Sequence, residues 1–145
     1  MTFQNIAYCT DFSDNSEEAF SVAAELAEKD KANLWILHVL PPPISPLTMG
    51  KEEEASDQPQ EALILQIQEK MQQEYGDRIS SGVQYELVVL DGHISTEIVK
   101  FLEENQIDLC ILGAYGMTGM GLVIFGSVAK RVSHRAPCSV MVVRK

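Results

Sequence analysis

Residues 113–127 read Gly-Ala-Tyr-Gly-Met-Thr-Gly-Met-Gly-Leu-Val-Ile-Phe-Gly-Ser, and no other stretch of the chain has residue types so suited to chemistry. Glycine lets the backbone take positive φ and brings bare N–H groups close to a ligand. Successive inward N–H groups, followed by a helix N-terminus, make an anion site suited to phosphate. The hydroxyl of Ser127 can donate one further bond. Two familiar phosphate patterns fail here. Gly121 to Ser127 approaches G-x-x-x-x-G-K-[ST], but the lysine is missing and Ser127 directly follows Gly126. Gly119-x-Gly121 lacks the third glycine of the dinucleotide turn, since Ile124 stands there, and it does not follow the first predicted strand.

The elements that must position this segment follow from hydrophobic patterning. Residues 3–9 read as a short strand, and Ala19, Phe20, Ala23, Leu26 and Ala27 mark one face of a first helix capped by Ser13 or Asp14. Residues 33–39 are apolar nearly throughout, as expected of a strand covered on both faces. Residues 41–59, rich in proline and charge, predict a mobile loop. A second helix is expected from about 60 to 75 with Leu63, Ile67 and Met71 on one stripe. Residues 83–90 predict a third strand ended by Asp91-Gly92, and Ile94, Ile98, Phe101 and Leu102 a third helix. Residues 108–112 predict a fourth strand, then come a helix within about 120–135 and a last strand at 138–143.

Strands alternating with helices imply an α/β fold with a parallel sheet, right-handed crossovers and helices on both faces. The expectation is a single domain over 1–145 with an open five-stranded parallel sheet in the order 3-2-1-4-5. Ligands of such sheets bind at the carboxyl ends of the strands where the winding reverses. In this order the crevice lies between the first and fourth strands, so Asp11 and Gly113 flank it.

Gly113-x2-Gly116-x9-Gly126-Ser127 matches the G-x2-G-x9-G-[ST] pattern of ATP-binding universal stress proteins, and the chain resembles that family over nearly its whole length. Thr10-Asp11-Phe12-Ser13 is similar to the family's first strand end, and Leu37-His38-Val39 to its second. Ala136-Pro-Cys-Ser-Val-Met-Val-Val143 is similar to its closing strand. The resemblance implies the adenine-nucleotide alpha hydrolase-like fold, with Asp11 and the backbone of Val39 flanking an adenosine and Thr10 and Leu112 beside them. It implies that Gly113, Gly116, Gly126, Ser127 and the Val128 amide hold the phosphates. Tyr115 stands where the family often has histidine or arginine, and Ser139 replaces the usual proline of the closing strand. A homodimer through antiparallel pairing of strand 138–144 is implied as well.

ATP is therefore the expected ligand, with any Mg²⁺ held by its phosphates and by water. AMP or a cyclic nucleotide is the alternative ligand, and a nucleotide-free interaction protein the alternative function. No general base and no lysine or arginine clamp accompany the glycines, so a regulatory module with slow or absent hydrolysis is expected, rather than an ATPase or a kinase acting on Ser127 or Thr118.

Bulk properties bound these readings. The chain has 145 residues, 46% hydrophobic and 22% charged, the balance of a globular domain. A formal charge of −10 argues against nucleic-acid and anionic-membrane partners. All 21 acidic residues lie at or before Asp108, whereas Lys130, Arg131, Arg135, Arg144 and Lys145 follow it with no carboxylate among them. That distribution lessens repulsion of an anionic ligand near the glycines. No secretory signal pattern opens the chain, no run reaches the roughly 18–20 apolar residues of a membrane span, and the three cysteines lie in apolar strand-like runs. Reduced, buried thiols and a cytoplasmic location are expected. His38 reads as a hydrogen-bonded core residue, and His93 and His134 lack a partner at metal-ligand spacing.

Overall fold

The computed structural model describes residues 2–40, 57–114 and 122–144. Strand β1 (Asn5–Cys9) leads into helix α1 (Asp14–Asp30), followed by β2 (Asn33–Leu40), α2 (Asp57–Glu74), β3 (Tyr85–Asp91), α3 (Ile94–Glu104), β4 (Leu109–Gly113), α4 (Leu122–Arg135) and β5 (Ser139–Val143). The five strands form one parallel sheet, as the alternation of elements implied, in the expected order β3-β2-β1-β4-β5.

Alternate residues of the inner strands point to opposite faces, and the two cores divide accordingly. Ile6, Tyr8, Leu34, Ile36, Leu109 and Ile111 lie under α1 and α2. Ala7, Cys9, Leu37, Val39, Cys110 and Leu112 lie under α3 and α4. Helix α1 starts where it does because the Ser13 hydroxyl accepts from the Ser16 N–H at 3.2 Å, with Asp14 and Glu17 at the positive end of the dipole. It ends at Lys31, whose left-handed backbone lets Ala32 N–H reach Ala27 O at 2.9 Å. At the amino ends of the strands, the Asp108 carboxylate accepts from the N–H groups of Gln4 and Asn5 at 2.8 and 2.9 Å. This clasp ties the start of β4 to the start of β1 and leaves their opposite ends free for function.

Two expectations need correction. The second helix begins at Asp57, inside the stretch read as a loop to residue 59. Pro59 falls in its first turn, where no intrahelical N–H bond is lost and proline is tolerated; residues 41–56 lie outside the described residues. The stripe Leu63–Ile67–Met71 is buried only toward its end. Met71 is fully enclosed, Ile67 is partly covered and Leu63 is 43% exposed. Only the C-terminal half of α2 covers the sheet, so a helical spacing of fours overstated its buried length.

Cys9 and Cys110 are buried free thiols with Sγ atoms 3.8 Å apart, and Cys138 is half-buried. Contact with Cys9, and then burial, pushes the Cys110 thiol up. Burial raises Cys138 to about 11. Thiols so far from ionisation are poor nucleophiles and poor metal ligands. No helix among the described residues is long and apolar enough to cross a membrane.

Candidate functional site

The site sits where the chain order reverses, at the carboxyl ends of β1 and β4. Cys9 pairs with Leu112 in the ladder between them, so Thr10 and Asp11 leave β1 beside the point where Gly113 ends β4. Asp11 is half-buried, and its Oδ1 accepts from the Ser13 N–H at 2.9 Å, which folds the carboxylate back over the start of α1. Val39, on the neighbouring strand β2, is buried opposite Leu90, and Leu112 is fully buried in β4.

Thr10 is 5% exposed, and its polar atoms are committed inward. Its N–H donates to Leu37 O at 2.9 Å, and its hydroxyl meets Ser16 Oγ at 3.3 Å, the Tyr75 hydroxyl, and the Phe12 N–H at 2.9 Å. Thr10 O faces His38 Nδ1 at 2.9 Å. A carbonyl only accepts, so Nδ1 carries the imidazole proton. Phe12 follows with φ of 65°, a left-handed backbone that costs a non-glycine residue about 1–2 kcal/mol.

The two glycines of this site that fall within the described residues differ in what packing requires of them. A Cβ on Gly113 would lie 3.0 Å from the carbonyl oxygen of Asn15 and 3.3 Å from its carbon, so the bare Cα lets the first turn of α1 lie against the end of β4. A Cβ on Gly126 would lie 3.5 Å from the oxygen of Ala114, an ordinary contact. Packing alone does not require glycine at 126, which borders the space between α4 and the chain leaving β4. Ser127 beyond it is exposed, and Val128 is buried under the sheet. Tyr115 and Gly116 lie outside the described residues.

Electrostatics favour an anion here. Ser127, Lys130, Arg131, His134 and Arg135 line one depression of about 410 Å³ along α4. Ala114, Gly126, Lys130, Ser133, Val142 and Arg144 border a second of about 240 Å³. Among the described residues the one ion pair joins Arg78 to Glu17, so no described carboxylate neutralises these cations. A further depression, about 560 Å³, lies at the opposite end of the sheet, between the starts of β2 and β3. Its lining includes a single carboxylate, Glu86, and no cation. No group of three or more metal-ligating side chains exists among the described residues.

His38 makes the region acid-sensitive. Burial, above all, holds its imidazole below the usual 6.5, and Lys70 adds to the effect against the opposing pull of Thr10 O and Asp11. The unfolded chain therefore takes up the proton more readily than the folded one, and stability falls as pH drops below about 6.5. His38→Gln, which keeps a donor for Thr10 O, is expected to lose less stability than the parent between about pH 7.5 and 5.5. Urea unfolding at the two pH values checks this.

Sequence reasoning missed Phe12, Lys70 and Tyr75. Lys70 Nζ lies 4.3 Å from the centre of the Phe12 ring, and Tyr75 reaches Thr10 from 65 residues away. No local pattern announces contacts of that kind.

Comparison with known proteins agrees with this fold. The model of the Universal stress protein family matches residues 2–144. Universal stress protein MJ0531 of Methanocaldococcus jannaschii is 34% identical, covering 99% of this chain and 83% of that protein. The structure of universal stress protein UspA from Lactobacillus plantarum superposes with a TM-score of 0.78 at 27% identity, covering 99% of both chains. A universal stress protein solved in complex with cAMP has the same fold, with a TM-score of 0.71 at 22% identity over 99% of this chain and 98% of its own. With strand order and these matches in agreement, the chain belongs to the universal stress protein family.

Proposed function

We propose that this chain binds an adenine nucleotide, ATP foremost, and acts as a cytoplasmic nucleotide-responsive regulatory module. The observation that carries this reading is the convergence of Asp11, Gly113 and Gly126 at the reversal point of the sheet, beside cations with no described carboxylate partner. The residues suit the ligand. Asp11 offers a carboxylate to the ribose hydroxyls, and the Val39 backbone lies one strand away for the base. Thr10 and Leu112 form the floor beneath them. Gly113, Gly116, Gly126, Ser127 and the Val128 amide are assigned to the phosphates, with Tyr115 beside them.

Mg²⁺, if used, rides on the phosphates, because the chain supplies no ligand cluster among its described residues. Among the described residues that line the depression at Ser127 there is no carboxylate to act as a general base, and slow or absent phosphoryl transfer is part of this reading. A relative of this fold is known with cAMP, which keeps a cyclic or monophosphate nucleotide as the second reading.

Titration of protein stripped of co-purifying nucleotide decides the matter. Binding of ATP below millimolar concentration is expected, and no detectable binding at millimolar ATP with Mg²⁺ overturns the proposal. Parallel titrations with AMP and cAMP rank the ligands. Homodimerisation through β5 belongs to the same reading. Met141 and Val142 are 36% and 40% exposed on this edge strand, and an apolar edge invites pairing. Sedimentation as a monomer at tens of micromolar would sink the dimer.

A further inference from the structure

The contacts behind the β1–α1 turn come from α2 and from the residue that ends it, which the glycine pattern does not involve. Tyr75, 1% exposed at the end of α2, bonds to the Thr10 hydroxyl. Its ring packs edge-on against Tyr8 at 5.4 Å and tilted against Phe20 at 4.9 Å, so the hydroxyl has a fixed direction. The Phe12 ring stacks on Tyr75 with centroids 6.0 Å apart and planes at 17°, and meets His38 at 4.8 Å. The Lys70 ammonium lies 4.3 Å from its centre.

A phenylalanine with φ of 65° is an outlier, and such residues persist only where their surroundings over-determine them. Much of that surrounding here is Lys70, Tyr75 and His38. Asp11 immediately precedes Phe12, and its carboxylate is oriented by the Ser13 N–H that immediately follows. Displacement of Phe12 therefore turns Asp11.

We propose that Tyr75 and Lys70 are positioning residues for the nucleoside end of the site: through Thr10 and the left-handed Phe12 they fix where Asp11 points. The inference rests on the nucleotide reading above. By linkage it also works in reverse, since a ligand that holds Asp11 favours the packed position of α2. Core packing alone would predict lost stability without a selective change in binding.

The test has two arms, and the first needs no ligand. Tyr75→Phe keeps the ring and deletes one hydroxyl. Native-state hydrogen exchange is expected to quicken about tenfold at the Phe12 and Ser13 amides, the loss of one buried hydrogen bond, with Ile6 and Ile111 unchanged. Unchanged Phe12 and Ser13 exchange overturns the proposal.

In the second arm, AMP, ADP and ATP are titrated. Tyr75→Phe is expected to weaken all three by the same factor of about 5–10, because the nucleoside end is the part misplaced. Lys70→Met, which removes the charge over Phe12, is expected to cost about 2–5-fold. No loss, or a loss that grows with the number of phosphates, overturns the assignment.

A double-mutant cycle separates positioning from simple destabilisation. Phe12→Gly takes positive φ freely and breaks the relay, so Tyr75→Phe should cost less affinity in that background. Full additivity of the two changes counts against the relay. If the parent protein binds none of the three nucleotides, the nucleotide reading fails, and the exchange arm alone then decides whether α2 holds the turn.

Discussion

In the Gly126→Val variant, ATP affinity is expected to fall by at least about 100-fold while the thermal midpoint hardly moves. A hundredfold loss corresponds to about 2.7 kcal/mol, the scale of losing the close approach of a phosphate to backbone N–H groups. The Cβ itself fits, since it lies 3.5 Å from the Ala114 oxygen. The two further methyl groups then occupy the gap between α4 and the end of β4, where a phosphate oxygen would have to come within about 3 Å of the backbone. Stability is spared for a separate reason: Gly126 lies within α4, and valine is a somewhat better helix residue than glycine, by a few tenths of a kcal/mol. Calorimetric titration paired with thermal unfolding reads both quantities. Undiminished ATP affinity would mean that phosphates do not sit at Gly126.

Gly113→Ala should behave in the opposite way, losing stability first. Its Cβ would stand 3.0 Å from Asn15 O and 3.3 Å from Asn15 C, backbone atoms that cannot rotate aside. Overpacking against backbone costs about 2 kcal/mol, or roughly 4–8 °C in the midpoint for a domain of this size. The relief available is for the first turn of α1 to move away from β4, which carries the Ser13 cap and the Asp11 turn with it. Nucleotide affinity should therefore fall as well, as a consequence of the shift. Gly82→Ala serves as the control, because nothing lies within 4 Å of the added carbon. Equal midpoints for the Gly113 and Gly82 variants would contradict this account.

Together the two variants divide the glycine pattern by physical cause. Gly113 is glycine because a helix backbone crosses it, whereas at Gly126 packing leaves room for a Cβ and the proposed phosphate is the remaining reason. A spacing pattern records both as the same letter. Only the positions of Asn15 and Ala114 distinguish them.

What the sequence determined by itself is what depends on periodicity and local chemistry. Alternating strand and helix patterns dictated the parallel sheet and right-handed crossovers, and the expected order 3-2-1-4-5 is the one the structure has. The Ser13 cap, the Asp91-Gly92 turn and the glycine spacing were legible because each is a short-range preference. Helix α2 marks the boundary of that legibility, since its apolar spacing was read correctly but its burial was not. How far a helix overlaps the sheet depends on where its ends are anchored, as Leu63 and Met71 show.

The tertiary structure alone decided what stands behind the site. Tyr75 reaches Thr10 across 65 residues of chain, Lys70 covers Phe12, and burial holds the His38 imidazole below its ordinary value. None of these is a local preference. Each arises because two cores close on opposite faces of one sheet and bring the end of α2 over the β1–α1 turn. The left-handed Phe12 belongs to the same class: its strain is offset by partners distant in sequence, so no reading of neighbours along the chain could have supplied it.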